Sequence, residues 1–293
     1  MKAFVSVIIP TFRDWDRLCL CLDALCAQTY SKDCFEVIVV NNDPKSICPF
    51  DLPESNMKLV FESISGSYAA RNTGIEVSKG EILAFTDSDC IPNPDWIEKG
   101  IRCLYNRNAG MVGGYIEFVF QNPNSASELL DVASHMDNER SIVRHSCAVT
   151  ANLFVRREVF DSVGLFNRVV KSGGDIEFTQ RASSNGFLIV FCADSIIKHP
   201  TRKFTEKIKK SYRVGKGLLQ VELKRPTGFM KKLEMVILHL IPLTNPAKIL
   251  RAMKLHSNRS VILFIKALLL SVLIGSVKNT GFFVSLILFY KHK

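Results

Sequence analysis

Asp87 and Asp89 stand directly beyond a short apolar run, Ile82–Phe85, with Ser88 between them. Four apolar residues bounded by Gly80 and a polar stretch fit a buried strand. In open α/β sheets, ligands collect beyond the carboxyl ends of the strands. Two carboxylates in that position suit a hard divalent cation, Mg²⁺ or Mn²⁺, which takes oxygen ligands and carries substrate phosphates. The same residues also suit a turn or a helix cap, so the rest of the chain has to decide.

Three further polar groups follow apolar runs in the same manner: Thr11, the turn Asn41-Asn42-Asp43, and His199. A parallel sheet delivers such residues to one edge, where they line one cleft. His199 is either a structural imidazole or a metal ligand. Arg71, at the start of a helical stretch, is either a solvated side chain or a fork for a metal-bound diphosphate. Asp175 follows Gly173-Gly174 and precedes a helix. It is either an N-cap or a general base that the glycines allow the backbone to bring close.

The elements that must position these groups read in order. Residues 4–10, 35–40, 58–62 and 82–85 are expected strands. They alternate with helices at 14–28 and 69–77, the first carrying Leu18, Cys21, Leu22 and Leu25 at helical spacing. This alternation predicts a parallel sheet covered on both faces. Beyond it, a helix opens at Asn93-Pro94-Asp95. Residues 111–120 form a strand or a strand pair, and residues 125–142 a surface loop and helix. Strands follow at 148–155 and 187–191, with a helix at 176–184 between them.

The formal net charge of +10 conceals a division. Residues 1–200 carry 19 Lys/Arg and 25 Asp/Glu, whereas residues 201–293 carry 19 Lys/Arg and three Asp/Glu. A basic tail points to a polyanionic partner. Apolar runs at 233–243, 261–277 and 282–290 lie in the same tail. They favour an anionic membrane surface over nucleic acid, which has no use for them. Residues 261–277 would extend about 26 Å as a helix and hold one charge, Lys266. A single span, an interfacial helix pair, a re-entrant hairpin turning at residues 278–281, and a helical bundle packed on protein all remain open. The nine cysteines are odd in number and form no Cys-x-x-Cys pair, which fits a reducing cytosol. The run Ala3–Ile9 is too short for a leader and stops at Pro10.

Six motifs occur in order: Val5-Ser6-Val7-Ile8-Ile9-Pro10-Thr11; Ala70-Arg71-Asn72-x-Gly74; Phe85-Thr86-Asp87-Ser88-Asp89-Cys90; Asn152-Leu153-x-x-Arg156-Arg157-x-x-Phe160-x-x-x-Gly164-x-Phe166; Gly174-Asp175-x-Glu177-Phe178; and the late His199. Together they resemble the family-2 glycosyltransferases of the bacterial cell-surface polysaccharide type. The resemblance covers residues 3–200 and implies a GT-A fold: a Rossmann-like, mostly parallel sheet with helices on both faces.

What the resemblance implies for the site is specific. Pro10, Thr11, Asn41, Asp43, Arg71, Asn72, Asp87 and Ser88 would bind a nucleotide-sugar, a UDP-sugar by expectation. Asp89 and His199 would hold Mn²⁺ or Mg²⁺. Asp175 would deprotonate a glycan or lipid-linked acceptor for inverting transfer. A catalytically silent sugar-nucleotide scaffold and a nucleotidyltransferase are the alternatives. Two departures stand out: Asn41 replaces an Asp expected to read the base, and Gly174 replaces a Glu common before the catalytic Asp. The expected organisation is a catalytic domain at 1–200, a basic segment at 201–232 and an apolar helical, membrane-associating region at 233–293. The expected location is the cytoplasmic face of the cell membrane.

Overall fold

A computed structural model describes residues 3–43, 45–134, 136–224, 245–255 and 260–291. The apolar run 233–243 and the basic residues 225–232 lie outside the described residues. The chain divides into two compact units. The first comprises residues 1–119, 136–169 and 174–200; the second comprises 120–135, 170–173 and 201–293.

The first unit is built on an eight-stranded sheet. Its strands are β1 (Val5–Thr11), β2 (Phe35–Asn41), β3 (Met57–Phe61), β4 (Ile82–Phe85), β5 (Ile91–Pro92), β6 (Met111–Val119), β7 (Leu153–Arg156) and β8 (Ile189–Pro200). Their order is β3-β2-β1-β4-β7-β6-β8-β5. β3, β2, β1 and β4 are mutually parallel, as the alternation of elements predicts. β7 runs against both β4 and β6, and β5 against β8, so the sheet is mixed beyond β4. The expected strand 148–155 shortens to β7. Residues 150–152 form a 3₁₀ turn in which the Asn152 amide donates to the carbonyls of Tyr115 and Ser195.

Alternate residues of each strand enter opposite cores. Val5, Val7, Ile9, Val37, Val39 and Ala84 pack with Leu18, Leu22 and Leu25 of helix α1 (Trp15–Cys26) and with Trp96 of α3 (Trp96–Asn106). Ile8, Ile38, Val40, Leu83 and Phe85 pack on the other face beneath α2 (Ser67–Glu76). Having both faces covered is what makes these strands near-continuous apolar runs. The second core contains four phenylalanines. Phe160 of α6 (Arg157–Val163) stacks on Phe178 of α7 (Gly174–Ser184) at 4.4 Å, and Phe85 and Phe166 close the group at 5.5 Å. A further helix, α5 (Asn138–His145), covers β6.

The second unit is helical: α4 (Ala126–Ser134), α8 (Phe204–Lys224), α9 (Pro246–Leu255) and α10 (Val261–Lys291). A single helix runs through residues 278–281, so the hairpin turn considered there does not form. Two glycines let α8 and α10 touch backbone to backbone. A Cβ on Gly215 would lie 1.9 Å from the Lys278 carbonyl oxygen, and one on Gly281 would lie 2.3 Å from that of Tyr212. Leu129, Leu130, Ile249, Met253, Leu263 and Ala267 form the core of this unit.

Asp131 of α4 is fully buried beside two cations, with Lys207 Nζ at 3.1 Å and Arg202 Nη1 at 3.3 Å. Burial pulls the Lys207 ammonium below its ordinary range, against the opposing effect of Asp131. Removing one partner from a buried pair leaves an uncompensated charge, at a cost of about 3–5 kcal/mol. Asp131→Asn is therefore expected to lower unfolding stability by about that amount, measured by urea denaturation of the full chain. A change below about 1 kcal/mol, the range of exposed pairs, would contradict this.

Candidate active site

Strand register assembles the acidic centre. β1 and β2 end together, with Thr11 opposite Asn41, and Phe85 of β4 lies opposite Ile8. Thr11, Asn41 and the segment from Thr86 onward thus share one sheet edge. The two-residue strand β5 then pairs antiparallel with β8, Ile91 opposite Lys198, which carries the residues before β5 towards His199. A register shift helps: β8 holds three extra residues between the Gly114–Cys192 and Tyr115–Ile196 pairs. An odd shift exchanges the two faces of a strand, so the irregularity decides which face His199 occupies.

His199 is fully buried, and its Nδ1–H donates to the Pro200 carbonyl at 2.7 Å. A carbonyl can only accept, so in the neutral imidazole Nδ1 carries the hydrogen and Nε2 the lone pair. Such an arrangement suits a metal-binding imidazole. Nε2 lies 3.7 Å from an Asp89 oxygen. Asp89, Cys90 and His199 each offer an atom within 4.8 Å of the others. Burial, with Asp89 and Asp87 adding to it, holds the Cys90 thiol well above its usual range. A protonated thiol is a poor ligand, and thiolate is too soft for Mg²⁺ or Mn²⁺. Asp89 and His199 together, one carboxylate oxygen and one oriented imidazole nitrogen, fit such an ion.

Cations surround the two carboxylates. Arg71 of α2 is buried and its Nη2 meets Asp87 at 2.5 Å. Arg17 of α1 bonds Asp14 at 2.7 Å and reaches Asp89 at 3.8 Å. Ser88 donates to Asp14 at 3.2 Å, so it helps to fix the Asp87–Asp89 turn. Among the described residues, three buried side-chain polar atoms have no protein partner: Thr11 Oγ1, Arg71 Nε and Thr86 Oγ1. All three belong to the strand-end edge or the helix beside it. Buried polar atoms without partners are rare, and this group marks where a polar ligand would satisfy them.

Two expected nucleotide contacts are committed elsewhere. Asn72 donates to the Phe166 carbonyl at 2.8 Å and accepts from the Phe166 N–H at 3.1 Å, so it locks the aromatic core rather than facing the cleft. Asn41 accepts from the Asp43 N–H at 2.9 Å and donates to the Ser46 carbonyl at 2.7 Å. It builds its own turn, which Trp15 also clamps through Ser46 at 2.8 Å. Pro10 is buried within β1 and contributes no N–H. Asp43 pairs with Arg13, whose backbone takes the left-handed value φ 57°. That hydrogen bond, together with one from the Lys45 N–H, draws the Asp43 carboxyl below the usual range.

Asp175 occupies the first turn of α7, anchored three residues later by Phe178 in the aromatic core. Its Oδ1 accepts from Tyr68 Oη at 2.9 Å and from its neighbour Ile176 N–H at 3.0 Å, whereas Oδ2 has one long contact, 3.3 Å from Thr150 N–H. Burial first, and then Asp175, push the Tyr68 phenol far above its normal range, so it stays a donor. Gly174 explains itself here: a Cβ would meet the Tyr68 ring at 2.8 Å. Glu177 is not a spare acid, because it pairs with Arg181 at 2.8 Å. Tyr68 escaped the sequence reading. Its signal is the i,i+3 spacing from Arg71 on one helix, with the guanidinium 5.6 Å above the phenol ring. A continuous run, Asp175–Tyr68–Arg71–Asp87, joins the two carboxylate centres.

The Glycosyl transferase family 2 model matches residues 6–164. Glycosyltransferase AglE of Haloferax volcanii is 43% identical over 224 residues, 74% of either chain. A Methanococcus voltae enzyme named dolichyl N-acetyl-alpha-D-glucosaminyl phosphate 3-beta-D-2,3-diacetamido-2,3-dideoxy-beta-D-glucuronosyltransferase is 23% identical, again over 74% of either chain. Among solved structures, Pyrobaculum calidifontis mannosyltransferase PcManGT, in complex with GDP-Man and Mn²⁺, superposes with TM-score 0.60 at 18% identity, covering 98% of this chain and 87% of that one. Staphylococcus aureus TarS 1–349, in complex with UDP-GlcNAc, gives TM-score 0.53 at 20% identity, covering 78% and 69%. These two share the fold.

Asp89→Ala and His199→Ala should each weaken Mn²⁺ binding by at least about 10- to 100-fold, the loss typical when only a partner that orients a ligand is removed. Titration of the purified protein with Mn²⁺, followed by electron paramagnetic resonance, measures this. Unchanged affinity in both variants would remove the pair as ligands.

Proposed function

The chain belongs to glycosyl transferase family 2, and from that premise we propose an inverting, divalent-metal-dependent transfer of sugar from a UDP-sugar to a lipid-linked or growing surface glycan. The observation that carries this reading is the asymmetry of the Asp175 carboxylate. Oδ1 is held by two donors at 2.9 and 3.0 Å, while Oδ2 has one contact at 3.3 Å. Oδ2 therefore has the capacity to take a proton, and Tyr68 fixes its direction.

In this reading Asp175 Oδ2 removes the proton of an acceptor hydroxyl as that oxygen attacks the anomeric carbon. The bond to the diphosphate oxygen breaks, and its electron pair leaves with the nucleoside diphosphate. Arg71 donates to the diphosphate, and Thr11 and Thr86 satisfy their unpartnered hydroxyls on the donor. A divalent ion held by Asp89 and His199 supplies positive charge against the charge developing on the leaving group. One carboxylate at the attacking side is enough for a single displacement, and the acid two residues on, Glu177, is paired with Arg181.

UDP is favoured by TarS, solved in complex with UDP-GlcNAc, and by an Escherichia coli relative, the UDP-Glc:alpha-D-GlcNAc-diphosphoundecaprenol beta-1,3-glucosyltransferase WfgD. PcManGT carries GDP-Man instead, so a donor comparison is the direct check. The lipid-linked acceptor is supported by the names of the E. coli and M. voltae relatives and by α10. Residues Val261–Ile287 of that helix are long and apolar enough to cross a membrane. Its C-terminal half, however, packs through Gly281 on the basic α8. Its first half is also buried along one side, through Leu263 and Ala267 in the core of the helical unit, while Val261, Ile262, Ile265 and Leu269 stay exposed on the other. We therefore read α10 as embedded in the membrane interface, on the cytoplasmic face.

Asp175→Asn is expected to lower kcat about 10²- to 10⁴-fold while leaving donor affinity within about twofold. Nucleoside diphosphate release and donor titration by calorimetry measure the two quantities. Turnover near the wild-type rate would overturn the assignment, and release of pyrophosphate would identify nucleotidyl transfer instead.

A further inference from the structure

Cys90 has no part in holding Mn²⁺ or Mg²⁺, yet its sulfur stands in one group with the two residues that fit such an ion. Asp89 Oδ1 is 3.7 Å from His199 Nε2 and 4.0 Å from Cys90 Sγ. All three atoms lie within 4.8 Å of one another. The other Asp89 oxygen, Oδ2, turns to Arg17 at 3.8 Å. One carboxylate oxygen, one imidazole nitrogen and one sulfur thus converge from the turn after β4 and from β8. Cys90 and His199 are both fully buried, where close packing holds side chains in fixed rotamers.

Oxygen, nitrogen and sulfur together are a ligand set for zinc, which is four-coordinate and bonds them at about 2.0–2.3 Å. At tetrahedral angles such bonds place the ligand atoms about 3.3–3.6 Å apart. The two separations from Asp89 Oδ1 exceed this by a few tenths of an ångström, which small side-chain rotations close. The charges that hold the thiol protonated work in the opposite sense for a cation. Burial, Asp89 and Asp87 all raise the Cys90 thiol. A bound cation is the largest local charge in a site and deprotonates a coordinating thiol outright. The two carboxylates that oppose a thiolate therefore attract the ion that stabilises one.

The two ions would leave different room for a donor. Three protein ligands leave a four-coordinate zinc one open position. An octahedral manganese held by Asp89 and His199 keeps several for diphosphate oxygens and water. We propose that Asp89, Cys90 and His199 form a zinc site, in which zinc competes with Mn²⁺ and Cys90 is the ligand that selects it. As zinc binds, the Zn–S bond forms, the S–H bond breaks and the proton passes to water. The proposal rests on the assignment of Asp89 and His199 as metal ligands above, and adds a third ligand and a different ion to it.

Co²⁺ reports on the ligand set, because it takes zinc's place and gives a sulfur-to-cobalt charge-transfer band only when a thiolate is bound. The test is titration of the purified, reduced full chain with Co²⁺, followed by ultraviolet and visible absorption. The band should grow to saturation in the wild type and vanish in both Cys90→Ser and Cys90→Ala. It should persist in Cys21→Ser, which removes another buried thiol, the one beside the Asp87 carbonyl. Displacement of Mn²⁺ by zinc, followed by electron paramagnetic resonance, is the second readout. Cys90→Ser should lower zinc affinity by at least about tenfold and leave Mn²⁺ affinity within about twofold, since Mn²⁺ does not use the sulfur. Retained Mn²⁺ binding shows in the same experiment that the variant folds. Equal loss of zinc and Mn²⁺ affinity would make the thiol a structural group and overturn the proposal. Co²⁺ that binds without the band, or a band that survives in both Cys90 variants, would overturn it while Asp89 and His199 stand as Mn²⁺ ligands. Binding of neither Co²⁺ nor Mn²⁺ by the wild type would overturn both.

Discussion

Two carboxylates placed one residue apart at the end of a fully buried strand repel each other, in a setting where water screens them poorly. The catalytic unit is arranged around that fact. Asp87 is matched by a buried arginine, and Asp89 by an imidazole and a second arginine. Each partner comes from a different element: α2 for Arg71, β8 for His199, α1 for Arg17. The acidic turn therefore gains these partners only when the sheet register, the short β5–β8 pairing and both helices are in place. A metal ion and a diphosphate would enter a site already poised between opposite charges.

Arg71 also leads to the second centre. It lies over the Tyr68 ring, and the Tyr68 hydroxyl holds one oxygen of Asp175. The approach of α7 to this ring is close enough to require glycine at position 174. The departure from the Glu-Asp pair that is common in the family is thus a packing consequence. A ring occupies the space a longer residue would need, and the carboxylate gains a neutral phenol as partner. Beneath it, Phe85, Phe160, Phe166 and Phe178 fix α7, and Asn72 fixes Phe166.

The first four strands were legible because burial on both faces leaves unbroken apolar runs ending in polar residues, as at Phe85-Thr86-Asp87. Asp89, His199 and Asp175 stood out because their residue types recur in a recognisable order. What escaped the sequence were directions. Asn72 and Asn41 have the chemistry of ligand contacts, yet their amides close backbone loops, which no spacing reveals. The reversal of β7 depends on pairing between residues some seventy apart. Residues 278–281 look like a turn in sequence, whereas Gly281 serves a close helix crossing. A cavity of about 300 Å³ in the helical unit was hidden for the same reason: Lys207 and Lys210 are far in sequence from Lys248 and Lys278 and line it together only when α8, α9 and α10 pack.

The central claim is a single displacement driven by one carboxylate base, and stereochemistry reports on it most directly. Purified protein, Mn²⁺ and a UDP-α-linked sugar, with a lipid-linked acceptor, would give a product whose anomeric configuration is read by proton nuclear magnetic resonance. A β-linked product is the predicted result. An α-linked product would contradict the account, because retention requires a second step that the paired Glu177 and the single Asp175 do not provide.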